Sequence, residues 1–456
     1  MSDQLSAVRE ANRKVFGVVH GPVTPDKICQ RGEGIYLFDQ DNKRYIDFSG
    51  GPCVAGIGHG DQRVTRAVTE QMNKVSYFFH NFWLSEPLGE LAERLIRLSP
   101  PNLTRCQLVN SGSEATETAI KLAHQYHREK GNPEKSVVIG RWQGYHGMTL
   151  GALSASGVTG RRRKFEQLLF QWPKIPMPLC YRCPYGLTYP GCRVRCAQAL
   201  DDLINQVGPQ YIAAFIAEPI GGSATAAMVP VPEYYPMIRE ICTKHDVLFI
   251  DDEVICGFGR TGRWFGIEHW GVNPDMITIA KGLTGGYTTM AGVLISDDIR
   301  KVFADRDVAF FHGFTMEANP VSCVAATTVI DIIEQEGLVE RSARLGEYLQ
   351  RQAQQKLAQH PSVGDLRGKG MLLGVELVKD RQSKEPFDAA LTVAYRLYEI
   401  AKQKGCLIYP GGGLIHGIKG DHFLASPPLI ITEKEIDTAL DILAESITEL
   451  EHEMGM

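Results

Sequence analysis

No apolar stretch in this chain approaches the roughly 20 residues that span a bilayer, so no membrane segment is expected. No single charge sign dominates. The 48 basic and 53 acidic residues leave a formal net charge of −5, which gives no electrostatic reason to expect nucleic acid or an acidic membrane surface as partner. No internal repeat or low-complexity tract is visible, so neither a repeat array nor a long disordered tail is expected. The opening residues, Met1-Ser2-Asp3-Gln4-Leu5, lack the charged and apolar regions of a signal peptide, and the cytoplasm is the expected compartment. A disulfide framework is missing too. Eleven cysteines is an odd count, and Cys53, Cys106, Cys242, Cys256, Cys323 and Cys406 sit in apolar segments. That pattern fits buried free thiols in a reducing compartment.

What is present is ordinary in bulk. Over 456 residues, 44% are hydrophobic and 22% charged, a soluble globular balance with room for two or three domains. From about residue 104 to 296, short apolar runs alternate with helical patterns. The expected strands are Cys106–Val109, Val137–Gly140, Ile212–Ala217, Val247–Ile250, Met276–Ala280 and Gly292–Ile295. Helices such as Glu114–Lys130 and Glu233–His245 lie between them. This alternation predicts an α/β fold, a mostly parallel sheet with helices on both faces. Gly34–Asp47 reads as a hairpin with a polar turn. Beyond Glu336, the helices Arg341–Gln359 and Asp388–Lys404 mix with short strands. The expected division is a large domain over 61–335 and a small α+β domain built from both chain ends, 1–60 and 336–456.

Two polar groups stand at the ends of core strands. Ile277-Thr278-Ile279-Ala280-Lys281-Gly282 delivers a lone lysine onto a glycine-rich turn. Val247-Leu248-Phe249-Ile250-Asp251-Asp252-Glu253 ends another strand in three acids. A lysine charge near a core is costly unless the amine is consumed in an imine. The three acids cannot all be buried, and one needs a cationic partner. Pyridoxal phosphate meets both needs, with Lys281 as its imine partner and an acid holding the pyridinium nitrogen.

Other segments are ambiguous one by one. Asn110-Ser111-Gly112-Ser113-Glu114 follows a strand and opens a helix. It reads as a phosphate cradle or as a plain N-cap. Gly144-Tyr145-His146-Gly147 leaves a ring reachable for stacking on a flat cofactor, or is a core aromatic beside a loop histidine. Glu218-Pro219-Ile220-Gly221-Gly222 presents a carboxylate that orients a cofactor or pairs with a structural arginine. Thr315, in His312-Gly313-Phe314-Thr315, is a phosphate donor or an ordinary loop threonine. All occur in one chain, nearly all at strand ends, where open α/β sheets bind ligands.

Together Ser111–Glu114, Asp252-Glu253-Val254-Ile255-Cys256-Gly257-Phe258-Gly259-Arg260-Thr261-Gly262 and Lys281–Gly286 resemble the class III, ω-amino acid type, aminotransferases of fold type I. The resemblance runs from Gly34 to Pro427-Pro428-Leu429-Ile430-Ile431-Thr432, and is nearest to the amine and ω-amino acid:pyruvate branch. It implies that Lys281 holds pyridoxal phosphate and moves the proton, that Asp252 pairs with the pyridine nitrogen, and that Val254 and Tyr145 pack on the two ring faces, with His146 beside Tyr145. It implies that Ser111, Gly112 and Ser113 bind the phosphate and that Glu218 lies near cofactor and substrate. Thr315 would reach the neighbouring subunit's phosphate, which implies a homodimer or a dimer of dimers. The implied reaction moves an amino group from an amine or ω-amino acid, of taurine or β-alanine kind, to a keto acid such as pyruvate. The alternative is a lyase, epimerase or decarboxylase on the same fold.

Two stretches depart from that pattern. Ile255 stands where γ-aminobutyrate and ornithine types carry glutamine. Gly413-Leu414-Ile415-His416-Gly417-Ile418-Lys419-Gly420-Asp421-His422 lacks the mobile arginine of pyruvate users, leaving His416 or Lys419 as substitutes for binding a carboxylate. Separately, Cys180-Tyr181-Arg182-Cys183 and Cys192-Arg193-Val194-Arg195-Cys196 have ligand-like spacing for zinc or an iron–sulfur cluster. The plainer reading is a loop of partly buried thiols, and no metal is expected in the catalytic site. A Cys-rich metal-binding redox or interaction protein is the remote alternative. Arg161-Arg162-Arg163-Lys164 reads as a solvated face, with an anionic-substrate role as the second reading.

Overall fold

The structure is a computed structural model that describes residues 2–15 and 25–456. Its central sheet has seven strands. In spatial order they are Leu103–Val109, Ala291–Ser296, Met276–Ile279, Leu248–Asp252, Ile212–Ala217, Val137–Arg141 and Lys174–Ile175. The last five pair in parallel. Ala291–Ser296 runs antiparallel to both its neighbours. All six expected strands are present, and the short Lys174–Ile175 was not anticipated.

Three central strands are buried at every position. That is why they read as near-continuous apolar runs rather than alternating ones: helices cover both faces of a parallel sheet. The helix Gly112–Glu129 opens at Ser111, whose hydroxyl accepts from Glu114 N at 3.3 Å. Leu248–Asp252 extends two residues past the expected end, so Asp251 and Asp252 are themselves in the strand. In its parallel register Asp252 lies beside Thr278. Asp252 thus sits at the same end of the sheet as the turn that carries Lys281.

The chain ends meet away from this sheet. Cys29–Glu33, Tyr36–Asp39 and Arg44–Asp47 form a meander, and Cys406–Leu407 adds in parallel to its third strand. Tyr36 donates to Glu435 Oε1 at 2.7 Å, tying the N-terminal meander to the C-terminal helix Glu433–Met454. A second sheet joins Val363–Lys369, Leu372–Leu377, Asp421–Ala425 and Tyr409–Gly411. On these pairings we propose the division 1–60, 61–335 and 336–456. The expected helix Asp388–Lys404 is shorter. Thr392 takes φ 46°, so a turn at Ala389–Leu391 breaks from the helix Val393–Gln403, because a β-branched residue with positive φ cannot continue a right-handed helix. No described helix is long and apolar enough to cross a membrane.

Candidate active site

One cavity of about 180 Å³ is lined by nine of the ten expected site residues; Thr315 is the exception. Gly147, Ile255 and Ala280 complete the wall. Lys281 follows Met276–Ile279 on a single turn, Lys281–Leu283, and holds φ 45°. A non-glycine residue in that region carries local strain that the surroundings must hold.

Asp252 is 2% exposed. Its Oδ1 accepts from Val254 N at 3.1 Å and from Thr278 Oγ1 at 3.1 Å. Its Oδ2 lies 2.6 Å from His146 Nδ1. An ionised carboxylate only accepts, so His146 donates here. His146 is in turn fixed by its backbone: its N donates to Ser156 Oγ at 2.8 Å and its carbonyl accepts from Thr116 Oγ1 at 2.8 Å. A carboxylate offers about four acceptor positions, and three are filled by protein. The fourth, on Oδ2, remains for a group in the cavity.

The three consecutive acids are all buried, contrary to the sequence expectation. The physical reason is protonation. Burial pushes Asp251 far above the ordinary carboxylate range, with neighbouring Glu253 adding to the effect. Burial also lifts Glu253 to about 7, although it accepts from Ile267 N at 2.8 Å. Burial of this kind favours the uncharged form of a carboxyl. Only Asp252 is presented to the cavity.

Glu218 is buried beside Arg141, whose Nη2 lies 3.7 Å from Glu218 Oε2. The same Nη2 donates to the Glu218 carbonyl at 2.6 Å. The arginine-pairing reading of Glu218 therefore holds, and the same residue lines the cavity. Burial raises its pKa, and His146 and Arg141 oppose that. At the helix start, a Cβ on Gly112 would come within 3.3 Å of Val254 Cγ1, and one on Gly147 within 2.5 Å of Ser113 Oγ. Gly147 admits no larger residue, and at Gly112 a side chain would crowd Val254. Ser111 is an N-cap and a cavity wall at once.

Thr315 is exposed outside this cavity, and its carbonyl accepts from Tyr77 at 2.9 Å. Two further residues were under-read from sequence. Thr278 was missed, though it sits three positions before Lys281, paired with Asp252. Arg161 was assigned to a solvated run. Its guanidinium carbon lies 4.8 Å from the Tyr145 ring centroid. Arg162, next to it, is buried and donates to the carbonyls of Leu153, Ser154 and Ser156 at 2.8–3.1 Å. The run is not one solvated face: Arg162 is an internal clamp, and its carbonyl partners explain its burial.

A parallel sheet that sets a lysine and a buried acid at its strand ends, above a glycine-floored helix start, defines a transaminase-type enzyme. The sequence profile of the family described as aminotransferase class-III matches residues 20–447. The chain is 37% identical to the putrescine–pyruvate aminotransferase of Pseudomonas aeruginosa, over 91% of this chain and 89% of that protein. It is 35% identical to the taurine–pyruvate aminotransferase of Bilophila wadsworthia, over 94% of each. An (S)-enantioselective omega-transaminase from Thermomicrobium roseum superposes with a TM-score of 0.91 at 35% identity, over 98% of each chain. The chain belongs to the class III aminotransferases.

Proposed function

We propose that this site binds pyridoxal phosphate and moves an amino group from a primary amine or ω-amino acid to a keto acid such as pyruvate. The open acceptor position on Asp252 Oδ2 carries the reading. A protonated pyridine nitrogen would be held there, and the carboxylate would favour its protonated form. Ser111, Gly112 and Ser113 hold the phosphate at the start of an eighteen-residue helix, where free N–H groups favour an anion. Tyr145 and Val254 cover the two ring faces, with His146 locking Asp252 in place. When bound, the cofactor supplies the electron sink that lets a C–H bond beside nitrogen ionise. Lys281 would hold the cofactor through its Nζ and would serve as the group that moves the proton at the carbon bearing the amine.

The donor class rests on the relatives. The Pseudomonas protein is named for putrescine with pyruvate and the Bilophila protein for taurine with pyruvate. For the keto acid's carboxylate we assign Arg161. The 413–422 loop contributes no arginine, and His416 and Lys419 are exposed on it. That loop packs against Thr159, which a Cβ on Gly417 would approach to 2.3 Å. Two residues on, Arg161 lies over the Tyr145 ring at 4.8 Å. Among the described residues no carboxylate pairs with Arg161.

The working unit is a homodimer or a dimer of dimers in the cytoplasm, with Thr315 serving the neighbouring subunit's phosphate. Phe82, Trp83, Leu84 and Phe311 are exposed, and Tyr77 joins their segments by its bond to Thr315. Large apolar side chains left exposed in this number support an interface.

The test is a half-reaction. The purified holoenzyme receives an amine donor and no acceptor, and its visible cofactor band is followed. Loss of the band with release of one carbonyl product per chain supports transamination. A band that survives while product keeps forming points to the lyase, epimerase or decarboxylase alternative.

A further inference from the structure

The turn that follows Glu218 is held from outside the central sheet. After Ile212–Ala217 the chain runs through Glu218-Pro219-Ile220-Gly221-Gly222 and folds back, with Gly221 N donating to the Met228 carbonyl at 2.9 Å. Ala226 and Ala227, inside this turn, take φ 49° and 52°. Two consecutive alanines in the left-handed region persist only where the surroundings hold them. The surroundings here are the sheet of Val363–Lys369, Leu372–Leu377, Asp421–Ala425 and Tyr409–Gly411. A Cβ on Gly374 would lie 1.9 Å from the Ala226 carbonyl oxygen, so the strand backbone runs directly against the turn. Arg367 Nη2 and Nε donate to the Thr225 carbonyl at 3.0 and 3.3 Å. The buried His422 donates from Nε2 to the Ser223 carbonyl at 2.6 Å.

Arg367 is itself fixed from behind. Asp365 and Glu376 are direct partners across one strand pair. Like charges on paired positions repel, and a cation between them turns repulsion into attraction. Arg367 Nη1 is that cation, 2.6 Å from Asp365 Oδ2 and 3.0 Å from Glu376 Oε2. Glu376 is fully buried, and its other oxygen accepts from Arg182 Nε. Arg182 comes from the cysteine loop, where Cys180, Cys183, Cys192 and Cys196 line one small cavity without a disulfide. Two arginines thus balance two carboxylates, and one buried carboxylate ties the cysteine loop to the sheet and, through Arg367, to the turn. A guanidinium serves here because its planar fork reaches several acceptors at once, which an ammonium point charge cannot do.

The other side of the turn meets the cavity. Gly222 N donates to Glu218 Oε1 at 3.4 Å. A Cβ on Gly222 would come within 2.3 Å of Ile255 Cδ1. Glu218 and Ile255 both line the cavity, whereas Arg367 and Glu376 do not. The turn is therefore gripped at Ser223, Thr225 and Ala226 and bears on the cavity wall at Gly222.

We propose that Glu376 and Arg367 are positioning residues for amino transfer: they hold the 219–228 turn, and the turn sets Glu218 and Ile255 against the substrate. The inference rests on the proposed reading of that cavity. Neither residue makes or breaks a bond. Their leverage is geometric, since a misplacement of about 1 Å caused far from the chemistry costs up to about a hundredfold in rate. A pair that only clamped the fold would cost stability and nothing else.

The experiment joins amide hydrogen exchange to kinetics, both on the holoenzyme. Arg367→Lys keeps the buried charge and loses the fork. In it, exchange across 219–228 should quicken about tenfold or more, while the helix start at 111–117 keeps its wild-type rate. In the folded fraction carrying a full cofactor band, kcat/KM for the amine donor should fall about tenfold to a hundredfold. Glu376→Gln should act in the same direction through Arg367, and should it fail to fold, Arg367→Lys decides alone. Unchanged exchange at 219–228 overturns the proposal. Quickened exchange with wild-type kcat and KM overturns it equally, and leaves the pair a clamp on the fold. Failure of the underlying reading shows elsewhere: wild-type enzyme without an amine half-reaction would remove that reading, and this one with it, before any variant is compared.

Discussion

The catalytic cavity and the cysteine loop are both made of spaced reactive side chains, but they are built in opposite ways. The cavity's residues stand at strand ends, each fixed by a sheet that would exist without them. Asp252 is held by a strand register, by Thr278 and by His146. The four thiols stand on a segment with almost no ladder of its own, so no strand register fixes them. Preorganisation by a scaffold gives a site that acts on ligands; the cysteine loop is tied to the body by side-chain bonds such as Arg182 to Glu376 and Tyr189 to Glu233. Substitutions at the first should therefore cost rate, and at the second stability.

Lys281→Ala is the sharpest test of the first half. Loss of the lysine removes both the link to the cofactor and the proton carrier, each of which contributes several powers of ten to such enzymes. Turnover should fall by about a thousandfold or more. The thermal transition should shift little, since Lys281 sits in a strained position of its own. Substantial amine-free turnover in this variant would remove the assignment.

Next in size is the split among the adjacent acids. Asp252→Asn should cost about a hundredfold or more in turnover, because the amide cannot keep the ring nitrogen protonated. Asp251→Asn should leave turnover within a few-fold, since burial already favours the uncharged form of Asp251. The pH dependence of stability separates them further. Glu253 rises from 4.5 to about 7 on folding. A raised acid pKa stabilises the protein below the unfolded value and loses that contribution as pH climbs toward the folded one. Stability to denaturant should therefore fall between about pH 4.5 and 7, with the raised Asp251 adding to the fall, and Glu253→Gln should reduce that slope. A slope that survives the substitution undiminished would assign it to another group.

Much of this was legible before the fold was known, and the reason is periodicity. Buried parallel strands leave apolar runs, so Ile212–Ala217 and Met276–Ile279 could be placed, and the polar residues that end them became site candidates. The failures share another cause. The burial of Asp251 and Glu253 turns on a protonation state, which no residue pattern reports. Arg161 and Arg162 look alike in sequence, yet one lies over the Tyr145 ring and the carbonyls around Ser154 surround the other. The cysteine spacing was visible, but their convergence on one cavity was not, because no hydrophobic period governs a loop.

Those two arginines give the comparison in miniature, one chain position apart. Arg162→Ala removes a buried cation and strands three carbonyls. It should destabilise by roughly 3 kcal/mol, read from denaturant midpoints, with KM values near wild type in whatever folds. Arg161→Ala should do the reverse. One charge-assisted contact is worth about 1.5–3 kcal/mol, so KM for the keto acid should rise about tenfold or more. KM for a donor without a carboxylate should stay unchanged, and so should the unfolding midpoint. An equal rise in both KM values would return Arg161 to a structural role on Tyr145.

The smallest effect should come from Thr315, and it asks whether the cavity is complete within one chain. Thr315 is exposed and outside the cavity, so in a monomer its hydroxyl can do nothing for the phosphate. In a dimer it adds one donor to a group already held by a helix start and two serines. One hydrogen bond to a charged acceptor, partly replaceable by water, is worth about 1.5 kcal/mol. Thr315→Ala should then loosen cofactor retention by roughly tenfold in dialysis, leave turnover at saturating cofactor near wild type, and leave the dimer intact in sedimentation. Dissociation without loss of affinity would make Thr315 an interface contact. A fully active monomer would show that the cavity needs no second chain, and the scaffold of strand ends alone would then account for the whole site.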